Sequence, residues 1–455
     1  MRFADAVAAL EARQPERMVP DLTRITALAD LLDHPERTYP TVHLTGTNGK
    51  TTTARAVTNL LCAHGVTAGL YTSPHLHSVT ERLALCLEPI SEEEFTEEWS
   101  RLTPYLEEVD RRGGESVSYF EALTALAFLW FADKPVEAGV FEVGMGGVWD
   151  ATNLVAGEVA VLCPIGLDHP ELGSSVLQVA GEKAGIIKAG TAAVVREQRP
   201  DALRVIEARA KEVGAEVLLE GRDWGLGPRS LAVRGQQISV RGLHGEYDGL
   251  FLPLHGSHQA ANAGAAIVAV ESMLGRPLDE ASLREGLGEL TSPGRLEVVA
   301  TEPTVVLDGA HNPDAARALA ATLPEVFSWG RLHLVLAILK DKDVEGVVEA
   351  LAPLADDVHV SESRSPRALP GEELARAVRR AGLEPAIHGS IEDAVVAACA
   401  AAGDDDLVVV TGSLYTVAIA REHLANDPDR TPDRTSDRTP ERPNGARPWP
   451  TNRPS

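Results

Sequence analysis

Thr41-Val-His-Leu-Thr-Gly-Thr-Asn-Gly-Lys-Thr-Thr-Thr-Ala-Arg55 puts a β-branched run, a turn with Gly46 and Gly49, and a helix start at Lys50 or Thr51 in immediate succession. Strand, glycine turn and helix in that order make a phosphate cradle. Backbone N–H groups approach the anion, the helix N-terminus adds partial positive charge, and Lys50 adds a full one. The hydroxyl of Thr51, directly after the lysine, is placed to hold Mg²⁺ against the same phosphates. An eight-residue P-loop would need glycine at position 44. Leu44 stands there, so the loop is the shorter Gly46-Thr-Asn-Gly-Lys-Thr51. The bland alternative is a Gly/Asn turn that happens to precede a helix.

A chain of 455 residues has room for two or three domains. Hydrophobic residues make up 44% and aromatics only 4%, so the core should be rich in Ala, Val and Leu, as in layered α/β proteins. A formal charge of −25 disfavours nucleic acid and suits an enzyme whose anionic substrates meet local cations. Cys62, Cys86, Cys163 and Cys399 lie far apart without metal spacing and read as reduced, buried fillers of a cytoplasmic protein. The opening Met-Arg-Phe-Ala-Asp lacks a signal core and no ~18-residue apolar run occurs, so neither a membrane span nor export is expected.

Phe3, Val7 and Leu10 mark a first helix, Leu22–Leu32 a second, and the helix after the P-loop should close at Gly65. A strand over Thr67–Thr72 empties into Tyr71-Thr-Ser-Pro-His-Leu76. Ser91-Glu-Glu-Glu94 caps another helix. Glu121 lies in the first turn of an apolar helix over Ser118–Ala132, where it could be only a dipole partner. Strands over Val136–Val143 and Val159–Ile165 end near Glu142 and at Asp168-His169, where open α/β sheets put ligands. A helix over Val176–Lys188 carries Glu182 and Lys183. Val194–Gly249 reads as alternating strands and turns, and Leu254–Asn262 opens an Ala-rich helix. Beyond Ser292-Pro-Gly-Arg295, three or four strands (Thr304–Leu307, Leu332–Leu339, Val358–Ser361, Leu407–Thr411) alternate with helices. The first of these ends in Asp308-Gly-Ala-His-Asn-Pro313, with Asn312 as N-cap and Pro313 at N1. From about Asp427 the Asp-Arg-Thr-Pro repeats predict disorder.

Several of these segments together resemble one family. They are Gly46-Thr-Asn-Gly-Lys-Thr51, Thr72-Ser-Pro-His-Leu76, Tyr119-Phe-Glu121, Glu142-Val-Gly-Met-Gly-Gly147, Asp150-Ala-Thr-Asn153, Leu167-Asp-His169 and Glu182-Lys-Ala-Gly-Ile-Ile187. Later come Pro293-Gly-Arg295, Leu307–Pro313, Asp341-Lys-Asp343 and Gly412-Ser-Leu-Tyr415. The pattern is similar to the folylpolyglutamate synthase/dihydrofolate synthase family of the Mur ligase superfamily, and it covers residues 1–424. The P-loop alone would say only Mur-type ligase; the Ser-Pro-His-Leu loop and the Asp-Gly-Ala-His-Asn-Pro turn narrow it to the folate branch.

The resemblance implies a P-loop-containing, doubly wound ATP-binding domain of Mur-ligase type (1–292), a smaller Rossmann-like α/β C-terminal domain (293–424) and a disordered tail (425–455). It implies an ATP-dependent ligase that joins L-glutamate to dihydropteroate and to reduced folates through an acyl phosphate; polyglutamylation alone is the alternative. Lys50, Lys183 and His169 would be catalytic. Gly46, Thr47, Asn48, Gly49, Lys50, Thr51, Asn262, Arg295, Asp308 and His311 would bind ATP, with Mg²⁺ on Thr51, Ser73, Glu142 and His169, and Lys183 carbamylated. The pterin pocket would be Arg17, Met18, Val19, Pro20, Ser118, Tyr119, Phe120, Glu121, Trp149, Asp150 and Ala151. Val148-Trp149 departs from the Arg-Leu of many relatives and removes a positive charge there. A cytoplasmic monomer of folate and one-carbon metabolism follows, without nucleic-acid or membrane partners. A cell-wall Mur ligase would need a nucleotide-sugar domain ahead of the P-loop, and only 44 residues precede Thr45. A regulatory P-loop module would not need Ser73, Glu142, His169 and Lys183 together.

Overall fold

The computed structural model describes residues 1–14 and 19–426. The pterin-site expectations at Arg17 and Met18, and that of a disordered tail beyond Asn426, lie outside the described residues.

The P-loop strand β1 (Thr41–Thr45) is central to a sheet completed by β2 (Ala68–Tyr71), β3 (Leu83–Leu85), β4 (Glu88–Pro89), β5 (Ala138–Glu142), β6 (Val159–Leu162), β7 (Ala192–Val195) and β8 (Glu216–Leu219). The order is β4-β3-β2-β5-β1-β6-β7-β8, parallel except at β3 and β4. β1 lies between β5 and β6, so the chain leaves it on both sides. That is the topological switch point, where loops at the strands' carboxyl ends part and leave a crevice.

The two faces of this sheet pack differently. On one, Ala and Val of the helices Lys50–Ala63 and Ser257–Leu274 form the small-residue core expected from composition. On the other, the scarce aromatics are concentrated. Tyr71, Phe128 and Phe131 surround Phe141 on β5 at ring-centroid distances of 5.4 to 6.1 Å, with Trp99 and Trp130 behind.

Val194–Gly249 corrects the expectation of strands and turns alone. Pro200–Val213 is a helix with Pro200 in its first turn and Ala202, Ile206 and Ala210 buried at four-residue spacing. Its four-residue period is present in the sequence but sits in a charged segment. Then β9 (Gly225–Ala232), β10 (Gly235–Arg241) and β11 (Glu246–Leu252) form an antiparallel sheet. The helix expected over Val176–Lys188 ends at Ala184.

A second sheet contains β12 (Glu297–Thr301), β13 (Thr304–Leu307), β14 (Leu332–Leu336), β15 (Asp357–Val360), β16 (Ala386–Ile387) and β17 (Leu407–Thr411), in the order β12-β13-β17-β14-β15-β16. The four expected strands are its parallel interior; β12 adds an antiparallel edge.

Cys62 and Cys86 form a disulfide, with Cα atoms 5.7 Å apart. This corrects the expectation of four free thiols. The end of the P-loop helix meets a hairpin turn across 24 residues, which linear spacing does not reveal. Cys163 and Cys399 are buried and unbridged. Among the described residues, no helix is long and apolar enough to cross a membrane.

Candidate active site

One cavity of about 640 Å³ opens between the two sheets. Its first wall is the P-loop, whose turn uses Gly46 at φ +151° and Gly49 at φ +89°. A Cβ on Gly49 would sit 2.6 Å from Asn262 Oδ1, so only glycine lets the loop lie against the helix Ser257–Leu274. Lys50 Nζ donates to the Gly46 carbonyl at 3.0 Å and to that of Thr47 at 3.4 Å. Lys183 Nζ reaches the same Gly46 carbonyl at 2.9 Å from the helix Val176–Ala184. Lys183 is 3% exposed. Burial, reinforced by the charge of Lys50, lowers its amine to about 7.

Glu142, at the end of β5, accepts from Thr51 Oγ1 at 2.9 Å and from the Ser73 N–H at 3.4 Å. Burial pushes its carboxyl up, and Lys50 opposes that. It makes no ion pair within 4.0 Å among the described residues. A buried carboxylate beside a hydroxyl and a phosphate loop is a hard-oxygen donor set suited to Mg²⁺. Burial lowers His169 to about 4, so its imidazole is neutral at pH 7 and free to ligate. No three His, Cys, Asp or Glu side chains among the described residues form a metal cage. A Mg²⁺ here would take its remaining ligands from phosphate and water, as is common for this ion.

The second wall comes from the ends of β13 and β14. Asp308 accepts from the N–H groups of Leu296 (2.9 Å) and Ala310 (2.8 Å), which braces the turn carrying Arg295. Burial raises the Asp308 carboxyl, against the pull of Arg295. His311 Nδ1 lies 2.8 Å from the Gly309 carbonyl oxygen. Asn312 caps the helix Pro313–Val326 as expected. Its amide also exchanges hydrogen bonds with Asn48 of the P-loop, at 3.0 and 3.3 Å. A second bridge runs from Lys342 Nζ to Asp168 Oδ1 at 2.5 Å, both side chains nearly buried. His169 and His311 lie 3.4 and 3.6 Å from the same carboxylate. Burial would raise Asp168, yet His311, His169 and Lys342 together hold it well below the usual carboxylate range.

Asn262 faces the cavity with its amide already engaged, by Arg196 at 2.6 Å and Gln259 at 2.9 Å. Ser118, Tyr119, Phe120, Glu121, Trp149, Asp150, Ala151 and Val19 line the far end; Pro20 does not. Glu121 serves the helix cap, accepting from Ser118 N–H and Oγ at 2.8 and 2.7 Å, and pairs with Arg24 Nε at 3.0 Å. Its Oε1 is buried without a partner and is the atom left for a ligand. Asp150 accepts from Met145 N–H and from Thr152 N–H and Oγ1, so it braces its own loop. Sequence reasoning did not single out Arg24, Arg82, Arg196 or Arg367 on this lining. None sits in a patterned motif; Lys342 was visible only inside Asp341-Lys-Asp343.

Comparison with known proteins places this geometry in context. Residues 44–270 match the Mur ligase middle domain and 294–414 the glutamate ligase domain of Mur ligases. The dihydrofolate synthase/folylpolyglutamate synthase of Mycobacterium tuberculosis is 42% identical, covering 92% of this chain and 93% of its own length. The Escherichia coli protein of the same name is 34% identical over 83% of this chain and 85% of its own. Among solved structures, Mycobacterium tuberculosis folylpolyglutamate synthase complexed with ADP aligns with a TM-score of 0.90 at 41% identity, covering 94% of this chain and 99% of that one. Escherichia coli FolC in complex with DHPP and ADP aligns at 0.83 and 32% identity, covering 93% and 98%.

Proposed function

The chain belongs to the dihydrofolate synthase/folylpolyglutamate synthase family of Mur ligases, and from that premise we propose how its cleft joins three anionic substrates. It is an ATP-dependent ligase that adds L-glutamate to folates. The acceptors are dihydropteroate and reduced folates. A carboxylate of the acceptor attacks the γ-phosphate and ADP leaves; the glutamate amine then attacks the acyl phosphate, and phosphate leaves as the amide forms.

Bringing a triphosphate and a carboxylate together makes charge neutralisation the main demand on the site. Lys50 and the amides of Gly46–Thr51 hold the phosphates from one side; Arg295 meets them from the other, with Asp308 and His311 beside the ribose. Arg196, His258, Gln259 and Asn262 form the adenine end. Thr51, Ser73, Glu142 and His169 would hold Mg²⁺, which supplies further neutralisation of phosphate charge when bound. The buried Lys183, its Nζ 2.9 Å from the P-loop carbonyl of Gly46, is the observation that carries the reading. A buried lysine lowered to about 7 is free-base enough to bond to CO₂ and lose a proton. The resulting carbamate turns a second cation beside Gly46 into an anion able to ligate a metal. Ser118–Glu121 and Trp149–Ala151, with Val19, would seat the pterin.

Both walls come from one chain, which supports a monomer built of an ATP-binding unit (1–292) and a ligase unit (293–424). Its substrates favour the cytoplasm, whereas the Cys62–Cys86 disulfide is unusual for a reducing compartment.

The test is mass spectrometry of products formed with ATP, Mg²⁺ and L-glutamate, one reaction holding dihydropteroate and another a reduced folate monoglutamate. A product one glutamyl residue heavier in both is expected. Extension of the folate alone would reduce the protein to a polyglutamylase, with Val148-Trp149 the first residues to exchange.

A further inference from the structure

The two acceptors differ in a way the site must accommodate. Dihydropteroate has one carboxylate, which reacts. A folate monoglutamate has two, so one reacts at the phosphate while the other is a spectator, desolvated on entry and in need of a cation. Most cations on the cavity wall are already engaged: Lys50 and Lys183 with the P-loop, Lys342 with Asp168, Arg24 with Glu121, Arg196 with Glu220 and Arg367 with Asp341.

Arg82 is different. Its carbonyl accepts from the Thr72 N–H at 3.0 Å, which fixes it beside the Ser73 loop at the phosphate end. Its guanidinium carbon lies 5.3 Å from the centroid of Tyr119, at the pterin end. Nε donates to His75 Nδ1 at 2.9 Å, and that bond aims the group. The neighbouring Glu81 does not neutralise it, because its carboxylate accepts the N–H groups of Leu76, His77 and Ser78. Among the described residues Arg82 has no carboxylate within 4.0 Å. Its side chain is half-buried and faces the cavity. Nη1 and Nη2 are left as a pair of donors whose geometry matches a carboxylate.

We propose that Arg82 is the specificity residue for folylglutamate acceptors: it binds the non-reacting carboxylate of a folate monoglutamate and has no counterpart contact with dihydropteroate. The inference rests on the ligase reading above and deepens it.

The experiment is steady-state kinetics of wild type, Arg82→Gln and Arg82→Lys with both acceptors, varying acceptor and L-glutamate separately. Losing a charge-assisted bidentate contact should raise the KM for the folate roughly 10- to 100-fold in Arg82→Gln. Arg82→Lys should recover part of that. The KM for dihydropteroate should stay within about twofold, and dihydropteroate turnover then shows that the variant is folded. A second measurement changes the substrate instead. A folate monoglutamate whose spectator carboxylate is an amide should be as poor a substrate as the folate is for Arg82→Gln, and should lose nothing further in that variant. Equal losses on both acceptors, a rise confined to the KM for L-glutamate, or unimpaired use of the amide would each overturn the proposal. If the wild type extended neither acceptor, it would be the ligase reading that failed, ahead of any role for Arg82.

Discussion

The two walls of the cleft are built on different principles. On the P-loop wall the reactive groups are locked by their own sheet. Lys50 and Lys183 share the Gly46 carbonyl, and Thr51 and Ser73 share Glu142. On the opposite wall, Asp308 and the Arg295 turn are also braced internally, but their placement opposite the P-loop is tied to thin polar bridges such as Asn48–Asn312 and Asp168–Lys342. The first wall is therefore preorganised for phosphate and the second is suited to closing on it. Breaking the first should cost chemistry; breaking the second should cost nucleotide capture or alignment.

The largest effect is expected at Lys183. Lys183→Ala should lower turnover by on the order of 10³-fold, the scale of losing one catalytic charge in a preorganised site. Short carboxylic acids that fill the vacated space should restore part of it. Turnover unchanged by the substitution would remove the carbamate from the mechanism, and with it the claim that this wall is specialised for charge.

A pH series sharpens the same point without a mutation. An ordinary lysine titrates at 10.5, whereas burial brings Lys183 to about 7. Below that value the amine keeps its proton and does not take up CO₂; above it the amine is free. With dissolved CO₂ held constant, the rate of carbamate formation followed by ¹³C NMR should rise about tenfold per pH unit up to 7 and then level off. A rise continuing towards pH 10 would mean an ordinary, solvated lysine.

Asp308→Ala tests the other wall. It should raise the KM for ATP about tenfold and leave that for L-glutamate within about twofold, since it unbraces the Arg295 turn proposed to meet the phosphates. The reverse order would place Asp308 at the amino-acid end of the cleft.

The same division governs how much was legible in the sequence. The first wall could be read because local rules fix it: a glycine turn before Lys50 and a carboxylate at the end of β5, both set by neighbours in the chain. The parallel interior of the second sheet and the Asn312 cap were readable for the same reason. What escaped depends on distant packing. Nothing local told that the few aromatics would gather around Phe141, or that Cys62 would meet Cys86. The helix Pro200–Val213 was obscured by its charged face. Arg24 and Arg82 lie far in sequence from the groups they meet across the cavity, Glu121 and Tyr119. A lone arginine has no period or spacing to announce that it faces a substrate.

The smallest effect, and the one that discriminates best, concerns Asn312. Its Oδ1 does two things, accepting from Ala315 N–H as a helix cap (2.9 Å) and from Asn48 across the cleft (3.3 Å), while its Nδ2 donates to Asn48 Oδ1 (3.0 Å). Alanine would remove both roles and confuse them. Asn312→Ser keeps the cap, because serine serves as well there, but is too short to exchange two hydrogen bonds with Asn48. The expected result is an unchanged melting temperature and a two- to tenfold lower kcat/KM for ATP, the range of about 0.5–1.5 kcal/mol for a lost hydrogen-bonded pair. Adding Asn48→Ala to that variant should then cost nothing more, since both changes break one bridge. If Asn48→Ala still costs the full amount in the Asn312→Ser background, Asn48 acts on the nucleotide directly. It would then belong wholly to the preorganised wall, and closure of the cleft would rest on Asp168 and Lys342.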